Sequence, residues 1–273
     1  MKRFFSSAGL IALLCCLPPL AAQDRATKKP CHPSLSTCPD SGCKDATSPD
    51  GVENVLKHHH PEPPDNLVTL TIDDFQSLQD QIDKRFGTDA KCPGNYRSPS
   101  KPQRKHCLSN FKLPHHPPSV VVSEQDFVEL IGFLAEPDSK SGPPKANSSG
   151  ESVNCNLKGA DNNDFHINVV AKPGNLEFDG IVVEMIPQDR DSGWTIPKLK
   201  AAQKQHLMVR IRGQLMLDNK HRVNSDKNHV IGGQPKRVSV WEIHPVSEFA
   251  VCPQKKCTAA SGWVELENWK GGQ

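Results

Sequence analysis

The second half of the chain, from Val120 onward, alternates apolar and polar residues in short runs, which is the pattern of half-buried β-strands. A helical pattern interrupts these runs, opening near Ile196 and Pro197 and ending at His206, with the proline accommodated in the first turn. The order is therefore three strands, one helix and two strands. The predicted strands are 126–135, 164–170, 180–186, 207–217 and 237–246, with a further short strand at 263–266.

The preceding region, 23–118, is rich in proline, lysine, histidine and cysteine and has few apolar runs, so we expect it to bury little core. Its one clear element is an amphipathic helix over 71–86. Thr71 and Asp74 form a capping-box pattern, and apolar residues then recur at helical spacing as far as Phe86, just before Gly87. The rest of this region is predicted as loops.

The first residues have the layout of a signal peptide. Lys2 and Arg3 precede an apolar run over 9–20, and small residues follow as far as Ala22. We therefore predict a leader over 1–22 cleaved near Ala22, a Pro/Cys/His-rich region over 23–118 and a β domain over 119–273, in a protein exported to the periplasm or the extracellular space. No stretch is apolar and long enough to span a bilayer.

The competing interpretation of the leader is a lipid anchor on Cys15 or Cys16, although the preceding Leu14 is larger than a lipidation signal favours. These two belong to the ten cysteines of the chain, which leaves eight in the mature protein. An even number in an oxidising compartment predicts disulfides. Short loops would close at 92 with 107 and at 252 with 257, and Cys155 would pair with 31, 38 or 43. A zinc site is the alternative, but the Cys-x2-Cys spacing of zinc ribbons is absent.

The order of three strands, a helix and two strands resembles the OB-fold, a five-stranded Greek-key barrel that binds oligonucleotides and oligosaccharides. The resemblance covers about half the chain and rests on element order. Three short segments also resemble segments of uncharacterised secreted bacterial proteins, and this resemblance implies no activity. They are Asp164-Phe165-His166-Ile167, Val182-Val183-Glu184 and Trp241-Glu242-Ile243-His244-Pro245-Val246.

Strand periodicity places a set of polar side chains opposite the apolar face of the second, third and fifth predicted strands. With the strand pairing usual in OB-folds, these side chains lie on one surface of the barrel. We call this set the barrel cluster: Asp164, His166, Glu184, Glu242 and His244.

The chemistry of the barrel cluster leaves three interpretations open. Imidazole and carboxylate together suit a divalent metal such as zinc, manganese or iron, whose bound water could attack an ester or phosphodiester. Without metal, a carboxylate with a raised pKa could act with histidine in acid–base hydrolysis. The third interpretation is a hydrogen-bonded surface ladder with no further role. His221, in the turn after Asp218, is an accessible further candidate or a solvated turn residue.

The overall charge of +2 gives no general reason to expect nucleic-acid binding. The stretch 198–237, however, holds ten basic and two acidic residues. A polyanion such as nucleic acid or an acidic glycan is thus a candidate partner, with a solvated basic face as the alternative. Aromatic residues for base stacking are absent from this stretch. The predicted ligand-binding residues are Arg210, Arg212, Lys220, His221 and Arg222.

Three functions follow as hypotheses. The first is an exported binding module, an OB-like barrel that binds a polyanionic or other extracytoplasmic ligand. The second is a metal-dependent or acid–base hydrolase that uses the barrel cluster. The third is a structural protein of the cell envelope. The sequence has neither the Gly-x-Ser-x-Gly motif of serine hydrolases nor the Gly-x-x-x-x-Gly-Lys motif of phosphate-binding loops.

Overall fold

The structure is a computed structural model that describes residues 28–271 except 93, 95, 97–98, 118–119, 255 and 259–260. The predicted signal peptide, its cleavage near Ala22 and the lipidation alternative lie outside the described residues. The secondary structure is mainly β, and the strands are numbered here in chain order. They are β1 (Val68–Leu70), β2 (Phe111–Lys112), β3 (Val121–Val122), β4 (Phe127–Leu134), β5 (Lys145–Ala146), β6 (Phe165–Val170), β7 (Ile181–Met185), β8 (Met208–Leu217), β9 (Trp241–Cys252) and β10 (Val264–Glu265).

Five strands close into a barrel. Around it, β4 pairs with β8, β8 with β9, β9 with β7, β7 with β6, and β6 returns to β4. The pairing of β7 with β9 is parallel and the other four are antiparallel. The prediction of a mainly β protein with a five-stranded barrel is confirmed. Short strands extend the sheet, because β1 pairs with β4, β5 with β6 and β10 with β9.

Alternation along the strands builds the barrel interior. In β6, Phe165, Ile167 and Val169 enter the hydrophobic core, so the intervening side chains face outward. Trp241 and Ile243 do the same in β9. The helix between β7 and β8 spans Ile196–Lys204 and begins at Thr195, whose hydroxyl accepts a hydrogen bond from the amide of Lys198.

The N-terminal region is more ordered than the sequence predicts. Its described residues contain three α-helices and a short 3-10 helix (Leu35–Thr37), and the expectation of one helix in a loop-rich region is wrong. The α-helices are α1 (Pro49–Lys57), α2 (Ile72–Thr88) and α3 (Lys101–Cys107), so the helix after β7 is α4. The helix predicted over 71–86 corresponds to α2, which begins with the capping box formed by Thr71 and Asp74. Both α1 and α3 are short and begin at a serine with proline in the first turn. In a sequence, serine and proline close together favour a loop prediction, which explains why these two helices are not predicted.

The N-terminal region also contributes to the main core, contrary to expectation. Phe75, Leu78 and Ile82 of α2 are fully buried in the same cluster as the barrel residues. Phe111 packs edge-on against Trp241, with the ring centroids 5.2 Å apart. The two halves of the chain therefore share one hydrophobic core.

Four disulfides are present, which confirms the expectation that the cysteines are bridged. They are Cys31–Cys43, Cys38–Cys155, Cys92–Cys107 and Cys252–Cys257. Such bridges indicate an oxidising, non-cytoplasmic environment. Within the described part of the chain, no helix is long and apolar enough to cross a membrane.

Candidate functional site

Strand register brings the barrel cluster together on the outer face of β6, β7 and β9. His166 lies directly across from Glu184 in the β6–β7 pair. Val183 lies across from Ile243 in the β7–β9 pair. Because neighbouring side chains alternate between faces, Glu184 comes to lie beside Glu242 and His244.

The side chains of the barrel cluster form one connected set around His244. Its Nδ1 lies 3.2 Å from Glu184 Oε2 and 3.1 Å from Glu242 Oε1. Its Nε2 lies 3.7 Å from Asp164 Oδ2. On the other side of Glu184, His166 Nδ1 lies 3.8 Å from Glu184 Oε1. All five residues predicted from the sequence thus converge in space.

The barrel cluster is buried, although the sequence placed it on an outer barrel surface. Glu242 and His244 are fully inaccessible to solvent, whereas the His166 side chain is 23% exposed. Helix α1 lies over the cluster. Gln214 of β8 connects the two, since its amide donates hydrogen bonds to the carbonyl oxygens of both Leu56 and His244.

Residues of the loop before β6 complete one side of the site. Glu151 Oε1 lies 3.0 Å from His166 Nε2, and Glu151 Oε2 accepts a hydrogen bond from the Asp164 amide. Asn154 donates to Asp164 Oδ1. Sequence analysis missed both residues because they lie in an irregular loop, where no periodicity assigns side chains to a face.

On the other side, the barrel cluster continues into a buried ion-pair network. Arg237 Nη1 lies 3.2 Å from Glu242 Oε2 and 3.1 Å from Asp218 Oδ2. Asp218 Oδ2 in turn lies 2.6 Å from His221 Nδ1. His221, predicted as a further candidate, is therefore connected to the cluster through Asp218 and Arg237.

The electrostatics of the cluster follow from burial and from the neighbouring charges. Burial, together with the carboxylates of Glu151 and Glu184, raises the pKa of Asp164 to about 7. Burial alone would lower the pKa of both histidines. The adjacent carboxylates, Glu184 foremost, instead raise the pKa of His166 to about 9 and that of His244 to about 10.

Lys57, at the end of α1, supplies positive charge above the barrel cluster. Burial opposes its charge, but Glu184, Glu53 and Glu242 raise the pKa of Lys57 above its usual value. Lys57 was not singled out from the sequence, since a lone lysine in a predicted loop carries no signal.

Three residues of the cluster could hold a metal ion. One ligand atom each from Asp164, Glu184 and His244 lie within 4.8 Å of one another. Asp164 Oδ2 and His244 Nε2 have no hydrogen-bond partner in the described structure, and they face each other at 3.7 Å. Bonds of about 2.0–2.2 Å to a shared ion could span this gap with little adjustment. The other metal-like groupings in the described residues contain cysteines already committed to disulfides.

The predicted ligand-binding residues Arg210 and Arg212 are engaged with carboxylates. Arg210 pairs with Glu265 at 3.1 Å. Arg212 pairs with its two cross-strand neighbours, Glu129 at 2.8 Å and Glu248 at 2.9 Å. We call these two arginines and their partners the arginine face.

The remaining predicted ligand-binding residues follow β8. The Lys220 ammonium pairs with Asp50 of α1 and lies 3.8 Å from Glu53. Arg222 is exposed, and its backbone amide donates to Gln234. Lys220 therefore joins α1 to the barrel instead of extending the arginine face.

Comparison with known proteins adds no relative, because no family model, curated protein or solved structure matches this chain. The chemistry of the site is therefore argued from its own residues.

Proposed function

We propose that this chain is an exported binding protein whose OB-like barrel holds one divalent transition-metal ion through Asp164, Glu184 and His244. The observation that carries the proposal is the pair of buried atoms Asp164 Oδ2 and His244 Nε2, which make no hydrogen bond and approach each other only to 3.7 Å, a long ion pair. Unsatisfied buried polar atoms are costly, and a shared cation would satisfy both.

The strand pairing supports the OB-like assignment of the barrel. The five barrel strands, in chain order, are β4, β6, β7, β8 and β9. The first pairs with the second and the fourth, the third pairs with the second and the fifth, and the fifth also pairs with the fourth. A helix separates the third from the fourth. OB-folds bind ligands on the face of their second and third strands, which here carry Asp164, His166 and Glu184.

The hydrogen bonds of His244 favour metal binding through Nε2. Its Nδ1 lies 3.1 Å from Oε1 of Glu242, which is not one of the proposed ligands, and such a carboxylate partner orients a metal-bound imidazole and increases its basicity. One imidazole and two carboxylates favour zinc, manganese or iron over calcium, which takes only oxygen ligands.

The experiment is a titration of the metal-stripped protein with Zn²⁺ and Mn²⁺ by calorimetry. We expect one ion per chain, and at least a tenfold loss of affinity in Asp164→Asn and in His244→Gln, because each removes a ligand. Asp226→Asn and His229→Gln, in an exposed loop, are the matched controls and should bind as wild type. Absence of binding, or equal affinity in the site variants and the controls, would refute the proposal.

Hydrolysis is the second candidate function, and the position of His166 favours it. This residue is the most exposed member of the barrel cluster, and it contacts both Glu151 and Glu184. It is therefore the member best placed to exchange a proton with a substrate. Chromogenic esters and phosphodiesters should be cleaved by the wild type and by the control His206→Ala, whose side chain is 51% exposed, but not by His166→Ala. Equal rates in the two variants would exclude this role.

Polyanion binding and an envelope-structural role stay predictions. The ion pairs of Arg210 and Arg212 weigh against a free anion-binding surface there, because a polyanion would have to displace Glu129, Glu248 and Glu265. Salt-sensitive association with a nucleic acid or acidic glycan, lost when Arg210, Arg212, Lys220 and Arg222 are neutralised, would establish the first role. Co-purification with envelope components would establish the second.

A further inference from the structure

A groove of about 1020 Å³ lies between α1 and α3, and none of the barrel-cluster residues lines it. Val52, Val55 and Leu56 of α1 form one wall, and Leu108, just after α3, contributes to the opposite wall. The three α1 residues have i, i+3, i+4 spacing and so share one side of the helix.

Helix α1 is oriented opposite to most amphipathic helices, which bury their apolar side. Its polar residues Glu53 and Asn54 are buried against the rest of the protein, with 1% and 5% of their surfaces exposed. Its apolar side, by contrast, faces the groove, and Val55 is 39% exposed. Of the apolar side, Val55 is exposed, and Val52 and Leu56 are half-buried.

The other wall of the groove is cationic. Lys101 and Lys105 lie four residues apart on α3, are exposed, and have no carboxylate partner in the described structure. Arg104, between them, is buried and pairs with Glu124, so those two charges offset each other. The Arg104 Nε atom nevertheless has no acceptor among the described residues. The groove thus combines an apolar wall and two free ammonium groups with a buried Arg104–Glu124 pair that keeps one unused donor and, at Glu124 Oε2, one unused acceptor.

We propose that the α1–α3 groove binds the anion of a medium-chain fatty acid. The alkyl chain lies along Val52, Val55 and Leu56, and the carboxylate lies between Lys101 and Lys105. The ammonium groups of Lys101 and Lys105 complement the charge of a single carboxylate headgroup. A nucleic acid would need a longer row of cations and aromatic stacking platforms, and no Phe, Tyr or Trp is among the described residues that line the groove.

The test is calorimetric titration of the full chain with sodium laurate below its micellar concentration. One laurate per chain is expected to bind, with at least a tenfold preference over acetate and over 1-dodecanol, because the groove recognises chain and charge together. Absence of laurate binding would overturn the proposal. Acetate binding as tightly as laurate would reduce the groove to a simple anion site and would also overturn it.

Matched variants locate the ligand. Lys101→Glu with Lys105→Glu should weaken laurate binding at least tenfold, whereas Lys200→Glu with Lys204→Glu, at the same spacing on α4, should leave it unchanged. Val55→Glu should abolish binding, and Val230→Glu, at a valine that is 52% exposed, is its control. Thermal unfolding of each variant verifies folding. Equal affinity in the groove variants and their controls would place laurate elsewhere and refute the proposal.

Discussion

The barrel cluster and the arginine face have similar sequence patterns but different environments. Both arise from polar residues that alternate with apolar ones along a barrel strand. In the arginine face, each arginine has a carboxylate partner within 3.1 Å, and Glu248 and Glu265 are more than a third exposed. In the barrel cluster, His244 and Glu242 are fully buried, and Asp164 Oδ2 and His244 Nε2 make no hydrogen bond and form only a long ion pair of 3.7 Å.

The difference lies in what covers each face. The barrel cluster lies beneath α1 and the loop that contains Glu151, whereas the arginine face borders solvent. Burial makes unpaired charge costly, so a buried polar set without complete hydrogen bonding indicates a ligand more strongly than an exposed set does. Variants can test whether the cover formed by α1 and the loop that contains Glu151 is responsible for this difference in environment.

The largest effect is expected from the disulfide that ties the N-terminal segment to the loop beside the barrel cluster. Cys38–Cys155 joins residues 117 positions apart, whereas Cys252–Cys257, at the end of β9, joins residues 5 apart. On loop-closure entropy, removing the long bridge by alanine substitution should cost about 5 kcal/mol and removing the short one about 2 kcal/mol. Urea unfolding of the oxidised proteins measures both. Equal losses would show that the N-terminal cover is not held by this bridge.

The next comparison contrasts a fully buried arginine, Arg237, with a partly exposed one, Arg212. Arg237→Met leaves Asp218 and Glu242 without their buried partner, which should cost about 3–5 kcal/mol. Arg212→Met on the arginine face should cost less, about 1–2 kcal/mol, because Glu248 is 39% exposed and Glu129 keeps its hydrogen bond from the Thr69 hydroxyl. Chemical denaturation gives both values. Similar losses would mean that the two faces do not differ in environment.

An intermediate effect should appear in the dependence of stability on pH. Burial raises the pKa of Glu53 to about 7, above the usual value of 4.5. Between these two pH values, Glu53 therefore keeps its carboxyl proton in the folded protein and releases it in the unfolded chain. Glu53 should thus lower the free energy of unfolding as pH rises from about 4.5 to 7, by on the order of 1–3 kcal/mol. Denaturation across this range should show the decrease in the wild type and a smaller one in Glu53→Gln.

Asp50 on the same helix provides a control of opposite sign for the pH experiment. Its hydrogen bond from Lys220 lowers the pKa of Asp50, so its contribution to stability is present above the usual carboxylate range and is lost as pH falls. Asp50→Asn should therefore reduce stability towards neutral pH, where Glu53→Gln increases it. The same direction of change in both variants would contradict this account of α1.

The smallest effect is expected at the start of α1. The Ser48 hydroxyl accepts a hydrogen bond from the Gly51 amide, and Ser48→Ala should cost about 1 kcal/mol. Hydrogen exchange should become faster within 49–57 and remain unchanged in the barrel strands. Thr195→Ala, which removes the corresponding cap of α4, is the matched control and should leave exchange in α1 unchanged. Exchange in α1 that does not respond to Ser48→Ala would show that this cap does not hold the cover in place.

Much of the barrel was predictable because alternation is a local property. The predicted run 164–170 became β6 at Phe165–Val170, and 180–186 became β7 at Ile181–Met185. The convergence of the barrel cluster followed from the same alternation combined with a strand pairing borrowed from the OB-fold.

The burial of the cluster could not be predicted, because it depends on contacts distant in sequence. Gln214 and Leu56 are 158 residues apart, and Lys220 and Asp50 are 170 apart. Helix α1 itself has an apolar side that does not face the core, so the usual criterion of amphipathicity could not assign its position. Glu151 and Asn154 lie in an irregular loop, where no pattern distinguishes a site residue from a solvated one.

The pairing of Cys38 with Cys155 has a consequence for the order of biosynthesis. Cys31, Cys38 and Cys43 leave the ribosome close together, and one of these three thiols has no native partner until residue 155 follows, 117 residues later. At typical elongation rates this interval is about 6–23 s. If Cys38 is oxidised within this interval, it can join only a non-native partner, whereas Cys31 and Cys43 can already pair with each other. Correct assembly of the N-terminal cover therefore requires either delayed oxidation or a disulfide-exchange step that releases Cys38.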